Sequence, residues 1–194
     1  MKKIILTFIF LSIVSYSWSQ NIDVNILKTI YNNRNTELDK GYRFLSNTTA
    51  TISIATPIII YSTGLFQKNK SLKEKALIIG ESTLAAAITS TVLKYSINRD
   101  RPFEKYPLVF NKDINAGSPS FPSGHTSSAF STATSLSLAF PKWYVIVPSY
   151  AWASSVGYSR MHFGVHYPSD VLAGAVIGAG TAYLTHYINK KLRE

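Results

Sequence analysis

The chain contains no cysteine, which excludes disulfides and thiolate metal centres and is compatible with any compartment. Acidic residues are scarce: ten Asp and Glu stand against twenty Lys and Arg, a net charge of +10. With 46% of residues hydrophobic, that imbalance suits an anionic, lipid-like partner or a membrane surface. Nucleic acid is the competing explanation and is disfavoured, because the basic residues are scattered among loops, not striped along one helix, and no nucleic-acid-binding signature is present. Strand-like alternation and hairpin signals of any length are missing, which argues against a β fold. Repeats, low-complexity tracts and internal linkers are missing too, so the 194 residues read as one domain large enough for a real core.

What is present is a series of five apolar segments: Thr51 to Phe66, Ala76 to Leu93, Ser127 to Phe140, Trp143 to Val156 and Val171 to Ile188. They predict an all-α bundle of about five core helices. Each is shorter than the roughly 20 apolar residues of a membrane span, one contains Glu81, and the mean hydropathy is only +0.07. On the other side, Gly174, Ala175, Gly178, Ala179 and Gly180 are the small residues that close helix packing in lipid favours. Charge placement chooses between these readings. With an exported N-terminus, alternate crossings put Gln67 to Lys75, which carries four lysines, on the cytoplasmic side together with Lys142, Lys190, Lys191 and Arg193. The expectation is an integral membrane bundle.

The N-terminus reads as a targeting segment. Met1-Lys2-Lys3 is positive, Ile4 to Val14 is apolar, and Ser17-Trp18-Ser19 is a small-x-small site that would leave Gln20 as the mature N-terminus. The expected organisation is a signal peptide or uncleaved anchor over 1–19, a polar lead-in over 20–48, the helical domain over 49–190 and a basic tail over 191–194.

Three stretches carry chemistry. Lys94 is followed by Arg101-Pro102; Pro122-Ser123-Gly124-His125 runs into a helix start; Ser159-Arg160 precedes His166 and Asp170. Arg101 and Arg160 each offer a planar fork of donors to phosphate oxygens, and Lys94 adds a mobile point charge. The turn at Ser123-Gly124 would aim backbone N–H groups at an anion. His125 there can protonate a leaving oxygen. His166 can attack phosphorus, and Asp170, four residues on, is within reach to hold its tautomer and stabilise its charge.

This constellation resembles the type 2 phosphatidic acid phosphatase and vanadium haloperoxidase superfamily. The family pattern is a Lys, six residues, Arg-Pro; then Pro-Ser-Gly-His; then Ser-Arg, five residues, His, three residues, Asp. Every position matches, with 19 and 33 residues between the three parts. The resemblance implies His166 as nucleophile, His125 as general acid and then base, Asp170 as its orienter, and Lys94, Arg101, Ser123, Gly124 and Arg160 as phosphate binders. It implies a phosphorylated lipid substrate, with no cofactor and no metal, while the charge placement above puts all three motif segments on the exported, periplasmic face of an inner membrane. A soluble exported acid phosphatase and a vanadate-dependent haloperoxidase are the alternatives.

His162 and His166 are four apart, a spacing that suits zinc on a helix. Gly164 and Pro168 argue against a regular helix there, and no Glu follows His162, so His162 is expected to be a loop or supporting residue. Arg99, Asp100, Glu104 and Lys105 surround the Arg101 turn, as a solvated loop or as groups that shape substrate access.

Overall fold

The structure, a computed structural model, describes residues 22–193, so the expected signal or anchor at 1–19 and the last residue of the tail lie outside the described residues. Residues 22–32 form helix α1, followed by a 3-10 turn at Thr36–Leu38. Then come α2 (Asp39–Phe66), α3 (Lys70–Ile97), the single turn α4 (Pro102–Lys105), α5 (Gly124–Ala139), α6 (Trp143–His162) and α7 (Pro168–Lys191). Among the described residues the fold is all-helical. The five apolar segments are α2, α3, α5, α6 and α7.

These helices outrun their apolar cores. The polar lead-in contributes the start of α2 at Asp39, and α3 starts at Lys70, because lysines and other good helix formers continue a helix beyond its buried stretch. Asn69 fixes the start of α3 by accepting from the Leu72 N–H at 3.1 Å. Asn98 ends it in the left-handed conformation, φ 48°, with its N–H on the Lys94 carbonyl. At 28 residues, α2 and α3 each rise about 42 Å. Three helical stretches, at α2, α3 and α7, are long and apolar enough to cross a membrane. Pro57 lies inside α2, where Gly80 of α3 makes room for its ring.

The polarity of the bundle is inverted relative to a water-soluble one. Its interior consists of small and hydroxylated residues such as Ser53, Ser82, Ala86, Ala129, Ser131, Thr132 and Ala133, while Ile54, Ile58, Leu84, Ile88, Leu172 and Val176 point outward. Lipid is as apolar as leucine, so close packing and hydrogen bonds hold such helices together. Buried hydroxyls return to their own helix, as in Ser82 to the Ile78 carbonyl at 2.7 Å and Thr132 to the Ser128 carbonyl at 2.9 Å. The Thr132 hydroxyl also reaches Ser53 at 2.9 Å, tying α5 to α2.

Helix α5 sits against α7, α6, α3 and α2. Its seam with α7 is the tightest: a Cβ on Gly174 would lie 2.7 Å from the Ser123 carbonyl oxygen, and one on Gly178 only 2.2 Å from that of Ser127. The Gly174-x-x-x-Gly178 pair thus lets the two backbones touch where both helices begin.

The long helices alternate in direction. One end of the bundle gathers the start of α2, the end of α3, the start of α5, the end of α6 and the start of α7. The other gathers the lysines: Arg193 pairs with Glu74 at 2.7 Å, Asn189 donates to Glu81 at 2.8 Å, and Lys75 lies over the Phe140 ring at 4.7 Å. All three sequence motifs fall at the first end.

Candidate active site

His166 lies in the turn between α6 and α7, 2% exposed. Its Nδ1 faces the Asp170 carboxylate at 3.4 Å, and its Nε2 faces an Arg101 N–H at 3.2 Å. Arg101 can only donate, so these partners assign the tautomer with the proton on Nδ1 and the lone pair on Nε2. Burial of the ring, opposed by Asp170 and reinforced by Arg101, pushes its pKa down to about 3. The imidazole is therefore neutral at ordinary pH, with its nucleophilic nitrogen on the arginine side.

Asp170 opens the first turn of α7 and is wholly buried. Its Oδ2 accepts from the Ser120 hydroxyl at 2.5 Å and from the Tyr167 N–H at 2.9 Å, besides facing His166; its Oδ1 accepts from Arg99 at 2.7 Å. Four groups thus fix one carboxylate, leaving it no rotational choice.

The cations arrive from separate elements. Arg101 is locked by Nε to the Ser118 carbonyl at 2.7 Å and by NH1 to the Val165 carbonyl at 2.7 Å. Lys94, in the last turn of α3, donates to the Pro119 carbonyl at 2.6 Å and lies 3.7 Å from where a Gly124 Cβ would be. It is close enough to Arg101, Arg160 and Asp170 to feel their charges. Arg160, near the end of α6, donates to the Ser46 hydroxyl of α2, while its Nε is buried without a partner among the described residues. A buried donor left unpaired costs free energy comparable to a lost hydrogen bond, so this Nε–H is placed to donate to a bound anion.

Ser123 is the N-cap of α5, receiving the Thr126 hydroxyl at 2.9 Å, and its own N–H donates to the Asp170 carbonyl at 3.0 Å. That bond couples the starts of α5 and α7 and occupies the Ser123 N–H. The N–H groups of the turn that remain open to an anion are those of Gly124 and His125, which stand in the first turn and have no carbonyl partner within the helix. The His125 side chain is exposed and lines a groove of about 530 Å³ between α2 and α3, whose other walls include Ile54, Pro57, Ile58, Leu84 and Ala87. One imidazole is sealed in the interior, and the other stands at the mouth of an apolar groove.

All eight residues singled out in the sequence thus lie at one end of the bundle. Several supporting residues were not singled out. Ser120 sits inside the stretch leading to the turn, but nothing in its type marks it as the Asp170 partner. Ser46 and Asp23 come from the polar lead-in, from which no site residue was expected: Ser46 meets Arg160, and Asp23 accepts from Arg99 at 2.8 Å. Arg99, with a fifth of its side chain exposed, lies between two carboxylates, those of Asp23 and Asp170. His162 closes α6 as a helical, buried residue, its Nε2 2.6 Å from Asp39, so the two histidines engage separate carboxylates.

Replacing Arg160 with Lys should lower turnover about 10²-fold or more, as loss of one oriented donor to a charged transition state does, with the folded bundle retained. Steady-state rates beside a thermal unfolding curve check this.

A buried histidine against a carboxylate and converging cations, on a helical bundle with three helices long and apolar enough to cross a membrane, define a class of membrane protein. The chain matches the PAP2 superfamily over residues 75–194, a stretch that contains every motif residue, and it belongs to that family. It is 37% identical over 95 residues to a lipid A 4'-phosphatase of Bacteroides thetaiotaomicron, covering 49% of this chain and 42% of the relative. It is 34% identical over 104 residues to an undecaprenyl-diphosphatase of Sulfolobus acidocaldarius, covering 54% and 50%. The chain thus spans about half the length of these curated relatives. The crystal structure of a transmembrane PAP2-type phosphatidylglycerolphosphate phosphatase from Bacillus subtilis shares the fold, with a TM-score of 0.75, 24% identity and 98% of each chain covered.

Proposed function

We propose that this protein is a phosphatase that hydrolyses a lipid phosphomonoester or pyrophosphate through a phosphohistidine intermediate at the exported face of the membrane. The observation that carries the reading is His166, buried and neutral, held by Asp170 on Nδ1 with Nε2 beside Arg101. The transferring phosphoryl group would rest among Lys94, Arg101, Arg160 and the N–H groups of Gly124 and His125, with the Arg160 Nε–H donating to one of its oxygens. Nε2 of His166 attacks phosphorus as the bond to the leaving oxygen breaks, and His125 gives that oxygen a proton. The Nδ1 proton stays against Asp170, which offsets the positive charge the ring acquires. Water then attacks the phosphohistidine, giving its proton to His125, and phosphate leaves. Three fixed cations balance the phosphoryl charge, so the reaction calls for no metal.

A lipid-borne substrate is supported by the position of His125: the leaving oxygen must come to it, and the groove it lines is apolar and opens on the lipid-facing surface at Ile54, Ile58 and Leu84. The relatives named for lipid A and undecaprenyl diphosphate belong to the same chemical class. The exported orientation is supported by the lysine-rich opposite end, which the positive-inside rule assigns to the cytoplasm of an inner membrane.

The test is phosphate release by the detergent-purified protein, with chelator, on a panel of lipid phosphates and pyrophosphates beside one water-soluble phosphomonoester. Selective, chelator-resistant turnover of a lipid is expected. Equal turnover of the soluble ester would replace this reading with a broad acid phosphatase, and dependence on metal would overturn the mechanism.

A further inference from the structure

The proposed reaction uses one face of Asp170, and the other face belongs to a second layer of charge. Arg99 NH1 donates to Asp170 Oδ1 and to the Ser169 hydroxyl, both at 2.7 Å, and its NH2 donates to Asp23 Oδ2 at 2.8 Å. Asp23, on α1, also accepts from the Ser169 N–H at 2.8 Å and from the Ser169 hydroxyl. The Arg99 guanidinium lies over the Tyr167 ring, 3.9 Å from its centroid. The arginine therefore has no freedom to leave: two carboxylates, a hydroxyl and an aromatic face hold it.

We propose that Arg99 and Asp23 are positioning residues for the step at His166, Arg99 by fixing Asp170 so that Oδ2 is presented to Nδ1, and Asp23 by supplying the counter-charge that keeps Asp170 effective. This rests on the phosphohistidine reading above. The charge count gives the reason. An arginine alone against Asp170 forms a neutral pair, which offers little to the positive imidazole that forms when Nε2 bonds to phosphorus. With Asp23 included, the three groups carry a net charge of −1, and the developing imidazolium faces an uncompensated negative charge. Neither residue reaches the groups that would hold the phosphoryl oxygens, so neither should control substrate affinity. Removing the outer partner of a metal-ligating side chain typically costs about 10- to 100-fold in function, and the same order is expected for the partners that hold Asp170.

The experiment measures kcat and KM of the full chain on a phosphatidate in mixed micelles for wild type, Asp23→Asn, Arg99→Lys, Arg99→Ala and a His166→Ala control, with a thermal unfolding midpoint for each. Asp23→Asn keeps the shape and removes the charge; kcat should fall about 10-fold or more with KM changed less than about threefold. Arg99→Lys should retain more kcat than Arg99→Ala, since the charge remains although the fork is lost. Wild-type kcat in Asp23→Asn, or a loss confined to KM, or Arg99→Lys no better than a folded Arg99→Ala, would overturn the proposal. Should Arg99→Ala fail to fold with its two carboxylates exposed to one another, Asp23→Asn decides alone. Failure of the underlying reading looks different: wild type and His166→Ala would then release phosphate at the same rate.

Discussion

His166→Ala is expected to lower phosphate release by about 10⁴-fold or more, the scale on which enzymes lose rate when a member of a nucleophilic unit is removed. The expectation follows from how completely the structure commits this side chain. Its ring is buried, one nitrogen faces Asp170 and the other faces Arg101. The fold should tolerate the change, because Asp170 keeps three of its four partners: Ser120, Tyr167 N–H and Arg99. Binding of product phosphate should survive as well, since Lys94, Arg101 and Arg160 are untouched. Loss of turnover with an unchanged unfolding midpoint is therefore the expected pair of results; a variant that still turns over within tenfold of wild type would remove His166 from the chemistry.

Gly178→Ala should be the most disruptive single-methyl change in the bundle. The added Cβ would sit 2.2 Å from the Ser127 carbonyl oxygen, 2.9 Å from the Ser131 nitrogen and 3.0 Å from the Phe130 Cβ. The first two are backbone atoms, so relief requires α5 and α7 to separate along the seam. Overpacking of this kind costs about 1–3 kcal/mol where side chains can yield, and here backbone must. Activity should fall with stability, because separating the helices also stretches the bond from Ser123 N–H to the Asp170 carbonyl, 3.0 Å, that registers His125 against Asp170. Gly180→Ala, two residues away with nothing within 4 Å of the new Cβ, is the matched control and should behave as wild type. Equal unfolding midpoints for the two variants would refute the account of the seam.

The difference between those two glycines is also a measure of what the sequence conveys. Gly174 and Gly178 are legible as a packing pair, but the partner they pack against, the start of α5, is not written in their spacing. The motif residues were legible because phosphoryl chemistry needs several cations, two imidazoles and a carboxylate, and no structural role requires that set at those separations. Their supports were not. Ser120, Ser46 and Asp23 are ordinary polar residues whose meaning comes from partners 50, 114 and 76 positions away. Arg99 was visible as a charge beside Arg101, yet a charge in a loop is normally solvated, and only tertiary structure reveals a carboxylate on each side. The five core helices were readable from apolar runs, whereas their ends were not, because helix continues through lysines that hydropathy counts as loop. His162, expected as a loop or supporting residue, closes a helix for the same reason: α6 runs on to it past the apolar stretch that ends at Val156.

The groove between α2 and α3 has a kinetic consequence. Its apolar walls face sideways into the surrounding lipid, with His125 among the residues that line it. On the proposed reaction, the substrate arrives by diffusion within the leaflet and never passes through water. The variable that sets the rate is then its mole fraction among neighbouring lipids, and diluting it with inert phospholipid at constant bulk concentration should slow turnover as surely as removing it.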